Sequence, residues 1–153
     1  MFHRILVTTD FSECSLKAFP LALELARAAD ATILLAHVDE FRFPPLIEYA
    51  GVQMQEMVTA NTDRALLELE RLRESCLDGY PAVKRHCVRG VAADEIVQLA
   101  REQQADLIVM ATHGRGFVAH ALLGSTAERV VRHAPCPVLT VREHEDKKKA
   151  QPA

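Results

Sequence analysis

The chain has no apolar run long enough to span a membrane, so its sequence offers no transmembrane helix. It has no surplus of positive charge. Its 18 Lys and Arg stand against 21 Asp and Glu, for a net charge of -3 and a pI of about 6.2. That argues against sequence-independent nucleic-acid binding, which depends on a basic surface. The opening MFHRILVTTDFS lacks the charged-then-apolar pattern and small-residue cleavage site of a secretory signal. The expectation is a cytoplasmic protein. None of its cysteines, Cys14, Cys76, Cys87 and Cys136, stands in CxxC spacing, and each is read as a small buried hydrophobe. The histidines form no HExxH or paired Cys/His pattern, so no zinc site is expected. No lysine follows any glycine, which excludes the P-loop pattern GxxxxGK[ST].

What remains is an ordinary globular composition. The 153 residues are 49% hydrophobic and 25% charged, enough for one domain with its own core. Three stretches, 4–10, 32–38 and 105–111, are nearly continuous in apolar residues. They read as central strands buried on both faces. AVKRHCVRG, from Ala82 to Gly90, alternates apolar and polar residues as an edge strand does. PCPVLTVRE supplies a last strand. Between the strands lie amphipathic helical patterns. The first starts near Ser12, a good N-cap, and is kinked or shifted in register by Pro20. A long one runs from about Leu46 to Leu77, with Met54, Met57, Val58, Ala65, Leu66, Leu69, Leu72 and Cys76 mostly on one face. AADEIVQLAREQQ and STAERVVRHA are two more. The tail, 143–153, reads as polar and disordered.

Strands alternating with helices predict an α/β domain over 1–142, with a largely parallel sheet and helices on both faces. In such sheets ligands bind beyond the carboxyl ends of the strands, where strand order reverses. Strand one ends in Thr8-Thr9-Asp10, strand two in Val38-Asp39, and strand four in Ala111-Thr112-His113-Gly114. Asp10 is a candidate acceptor for a ribose diol. Gly114 permits backbone N–H groups to approach a phosphate closely. Gly124-Ser125-Thr126 stands at a helix start, where free N–H groups and the helix dipole favour an anion. Gly114, Gly116 and Ala119 superficially fit GxGxx[GA], but they follow the fourth strand, whereas a dinucleotide fingerprint belongs in the first βα turn.

The segments RILVTTDFSECS, LLAHV, RGVAADEIVQLAREQQADLIVMATHGR and LLGSTAERVVRHAPCPVLTV together resemble the universal stress protein family over about residues 2–142. The resemblance implies a Rossmann-like three-layer fold with a five-stranded parallel sheet in the order 3-2-1-4-5. It also implies homodimers, often through the last strand, here residues 136–142. Members that bind ATP share a signature: Gly, two residues, Gly, nine residues, Gly, then Ser or Thr. Its second glycine falls on Gly114 and its Gly-Ser on Gly124 and Ser125, with Arg115 to Leu123 between them. The first glycine is replaced by Ala111, which adds a methyl group and removes no donor. By the same resemblance Asp10 holds the ribose and Val38 presents its backbone to the adenine. Thr8 stands where the family usually has proline.

The nucleotide-binding set is therefore Thr8, Asp10, Val38, Ala111, His113, Gly114, Arg115, Gly124, Ser125 and Thr126. Arg115 is permanently cationic, and His113 is cationic only when protonated. The ligand expected is ATP, or ADP or AMP, with Mg²⁺ on the phosphates. The plain alternatives stay open: glycines that only turn the chain, and Asp10 and Ser125 as helix caps only. His37 is read as a core histidine bonded to backbone. Two other functions compete with a nucleotide-dependent regulatory dimer that acts on an unknown protein partner. One is a slow ATPase, with Arg115 and His113 stabilising phosphoryl charge. The other is a scaffold or chaperone-like dimer that needs no nucleotide.

Overall fold

The computed structural model describes residues 1–40, 51–114 and 123–142, the side chains of Val52 and Gln53 excepted. The expected tail, the start of the long helix before Gly51, and Arg115 and Gly116 lie outside the described residues. Five strands form one parallel sheet: β1 (Arg4–Thr8), β2 (Thr32–Asp39), β3 (Val83–Arg89), β4 (Leu107–Ala111) and β5 (Val138–Val141). Their order is β3-β2-β1-β4-β5, as the resemblance implies. The chain builds outward from β1 to β3, then returns to the other side of β1 with β4. The strand order therefore reverses between β1 and β4.

The core follows from the two-residue period of the strands. Ile5, Val7, Ile33, Leu35, Leu107 and Val109 belong to one buried cluster. It includes Phe19, Ala22, Leu23 and Ala26 of α2 (Phe19–Ala29) and Leu69 of α3 (Gly51–Cys76). Leu6, Leu34, Ala36, Ile108 and Met110 belong to a second cluster. It includes Ala93, Ile96, Leu99 and Ala100 of α4 (Ala92–Glu102), and Ala127 and Val130 of α5 (Ser125–His133). Because successive residues of β1, β2 and β4 fill opposite clusters, those strands have no polar face. That is why they read as unbroken apolar runs.

Some local expectations change. The first helical pattern is two helices, α1 (Glu13–Leu16) and α2, with Pro20 in the first turn of the second. A proline is tolerated there because the first helical N–H groups have no partner in the helix. Met57, expected on the apolar face of α3, is 56% exposed, and among the described side chains of the helix the first buried one is Ala65. None of the four cysteines is fully buried, and all are free thiols. Burial, then the nearby Asp39, pushes the Cys87 thiol up. Burial, then Asp106, does the same to Cys136. Both therefore stay protonated and weakly nucleophilic.

β3 is an edge strand, as its alternation predicts, and it carries His86, whose Nε2 is buried without a hydrogen-bond partner. Burial, helped by Lys84, holds its pKa below the usual histidine value. A base with a depressed folded pKa binds fewer protons folded than unfolded in the window between the two values. Its contribution to stability is therefore full above about pH 6.5 and declines as pH falls toward the folded pKa. Urea unfolding at pH 7.5 and 5.5 is expected to show a smaller loss for His86→Gln than for the wild type. Equal losses would contradict this assignment.

Candidate functional site

A cleft of about 570 Å³ opens at the carboxyl ends of the strands. This lies within the roughly 300–1,000 Å³ typical of small-molecule sites. Thr8, Asp10, Val38, Ala111, His113, Gly114, Gly124, Ser125 and Thr126 all line it. Every described member of the sequence-derived set is thus brought together, although those residues span more than a hundred positions. Parallel pairing of β1 with both β2 and β4 aligns their ends, and the reversal of strand order leaves space above them.

On the β4 side, Thr112 links the last strand to the helix that follows. Its N–H donates to Val141 O at 2.9 Å, and its carbonyl accepts from Gly124 N–H at 2.7 Å. A Cβ on Gly124 would sit 3.0 Å from that carbonyl and 3.7 Å from His113 Cα. Glycine is therefore needed for close approach, since its φ of -69° suits any residue. Gly124 is also the N-cap of α5 and supplies no side-chain cap. The first-turn amides of Ser125, Thr126 and Ala127 precede the first helical hydrogen bond, which runs from Glu128 N–H to Gly124 O at 2.9 Å. Ser125, Thr126 and Ala127 line the cleft at the end of α5 where the helix dipole is positive.

On the β1 side, Asp10 lies in a tightly bonded turn. Its Oδ1 accepts from Ser12 N–H at 2.9 Å and from the Ser12 hydroxyl. Ser12 in turn caps α1 through the Ser15 N–H. So Asp10 does not cap α1 directly; it orients the residue that does. A Cβ on Gly114 would overlap Asp10 Oδ2 and come within 3.3 Å of its Cγ. Gly114 thus admits the carboxylate against the backbone. The sequence motivated this glycine by phosphate approach, and the structure shows an additional reason for it.

The floor is apolar, formed by Ala36, Val38, Ala92, Ile96 and Met110. The acids at the rim are matched. Asp39 pairs with Arg89 at 2.8 Å, and Glu40 accepts from Ala92 N–H at 3.0 Å at the start of α4. That lowers their repulsion toward an anionic ligand. Ala111, the last residue of β4, pairs with Val141 and also lines the cleft. His113 Nδ1 is 3.0 Å from Thr112 Oγ1. Among the described residues no group of three or more His, Cys, Asp or Glu is arranged to hold a metal ion.

Sequence reasoning missed Thr9, Thr112 and the coupling of Asp39 to Arg89. The hydroxyls were visible as polar residues closing apolar strands. The Ser15 partner of the Thr9 hydroxyl and the link from the Thr112 backbone carbonyl to the start of α5 depend on tertiary placement. His37 is bonded to backbone as expected, with Nδ1 2.9 Å from Thr9 O, but it is half-buried and lines the cleft rather than sitting in the core.

Fold and cleft define a doubly wound α/β protein with a ligand-sized opening at its switch point. The Universal stress protein family model matches residues 1–142. The chain is 37% identical over 143 residues to a universal stress protein of Thermus aquaticus, covering 93% of this chain and 100% of that one. It is 35% identical over 147 residues to universal stress protein MJ0531 of Methanocaldococcus jannaschii, covering 94% and 84%. The solved structure of MJ0577, from the same archaeon, superposes with a TM-score of 0.82 at 29% identity, covering 94% and 98%. A universal stress protein solved in complex with cAMP superposes with a TM-score of 0.65 at 27% identity, also covering 94% and 98%. The chain belongs to the universal stress protein family, a family of stress-response proteins.

Proposed function

We propose that the cleft binds an adenine nucleotide, ATP or the related ADP or AMP, and that the protein is a nucleotide-dependent regulatory dimer of the cytoplasm. The observation that carries this reading is that one cleft is lined both by the start of α5, which has no side-chain cap and offers amides and hydroxyls for phosphate, and by Asp10, which offers a carboxylate for a ribose diol. The apolar floor suits a base, with the backbone of Val38 at its edge. Thr8 and Ala111 line the same space, and Mg²⁺ would travel with the phosphates. His113 lines the cleft as well, and Arg115, which lies outside the described residues, is a proposed further contact to the phosphates. The structural relative solved with cAMP supports an adenine ligand. Among the described residues β5 is the outermost strand on its side of the sheet, which supports dimerisation through residues 136–142. A ligand that engages α5 also bears on β5 through Thr112, which gives nucleotide a route to dimer packing.

Isothermal titration with ATP and magnesium is expected to give saturable heat at one site per chain. No heat at millimolar ATP, from a folded sample, would refute the reading.

A further inference from the structure

β2 runs TILLAHVD, and one polar residue, His37, interrupts its apolar stretch near the end. Packing alone would be served by leucine. The imidazole instead holds the turn that carries Asp10. The Thr9 N–H donates to Ala36 O at 2.9 Å, and Thr9 O accepts from His37 Nδ1 at 2.9 Å. A carbonyl only accepts, so Nδ1 carries the proton. Thr9 Oγ1 then takes the Phe11 N–H at 2.9 Å and meets Ser15 Oγ at 2.8 Å. Phe11 has φ of 65°, in the left-handed region that an aromatic residue rarely occupies. Its ring lies against His37, with centroids 4.3 Å apart. Asp10 sits between Thr9 and Phe11, so both of its neighbours are fastened to the same histidine.

We propose that His37 is a positioning residue: through Thr9 and Phe11 it holds the turn in the strained shape that aims Asp10 into the cleft. Strain of this kind persists only where its surroundings over-determine it. Without the imidazole, Phe11 relaxes toward negative φ, which rotates the segment and moves the carboxylate away from Gly114. The effect on ligand rests on the nucleotide reading above; the effect on the turn does not.

The test measures ATP·Mg²⁺ affinity and amide exchange together, in wild type, His37→Leu and His37→Asn. Asparagine places an N–H near the position of Nδ1. His37→Leu is expected to bind about tenfold more weakly or worse. Its Ser12 amide, bonded to Asp10, is expected to exchange about tenfold faster while the Ile33 amide in β2 stays unchanged. His37→Asn is expected to recover affinity and protection to within about threefold of wild type. Wild-type Ser12 exchange in His37→Leu would overturn the proposal. So would equal acceleration at Ile33, or a His37→Asn variant that behaves like His37→Leu. If the wild type binds no ATP, the nucleotide reading fails, and Ser12 exchange still decides the positioning role.

Discussion

Gly124→Val is expected to weaken ATP binding at least about a hundredfold, close to 3 kcal/mol. The backbone at Gly124 tolerates a side chain, so the loss has a steric origin. A Cβ there meets the Thr112 carbonyl at 3.0 Å, and that carbonyl cannot retreat. It is held by the hydrogen bond from Gly124 itself, and the Thr112 N–H is tied to β5. Valine adds two methyl groups beyond the Cβ. The start of α5 must therefore move out, taking the Ser125 and Thr126 amides with it. Overpacking of this kind costs about 1–3 kcal/mol of stability. Titration and urea unfolding on the same samples separate the two effects. A folded variant with lost stability and intact affinity would make the glycine structural only, which is what a nucleotide-independent scaffold requires.

Gly114→Ala is expected to reduce ATP affinity about as much as Asp10→Ala, roughly ten- to a hundredfold each, and the two losses are expected not to add. A methyl group at Gly114 overlaps the Asp10 carboxylate. That carboxylate has little room to yield, because Ser12 donates to it through both N–H and O–H. Alanine at 114 therefore displaces the group that alanine at 10 removes. In the double variant the overlap disappears. Its affinity should equal that of Asp10→Ala, and its loss of stability should be smaller than the sum of the two single losses. Additive losses would mean that the two residues act independently, contrary to the observed packing.

The fold was legible because its strands have distinct patterns. β1, β2 and β4 are covered on both sides, and their sequences are correspondingly apolar throughout. β3 lies at an edge and alternates. The location of the cleft followed from topology and from the family resemblance, and the described candidates do line it. Finer features were not legible. A periodic pattern gives no indication that Met57 is exposed on α3. The four cysteines resemble core residues by type, yet Cys87 stands on an edge strand and Cys76 at a helix end. The positive φ of Phe11 has no sequence marker, since glycine or asparagine usually occupies such a position. Its cause is a histidine 26 residues later, brought alongside by β1–β2 pairing.

The central claim is that one anionic adenine ligand bridges the start of α5 and the turn at Asp10. The measurement that addresses it most directly is a titration of ¹⁵N-labelled protein with ATP and magnesium, following amide shifts residue by residue. The account predicts saturable shifts that are largest at Gly114, Ser125, Thr126 and Ala127, with Asp10 and Ser12 moving in parallel. Shifts confined to other surfaces, such as the groove between α4 and α5 lined by Arg101 and Arg129, would contradict it. So would a spectrum unchanged at millimolar ATP.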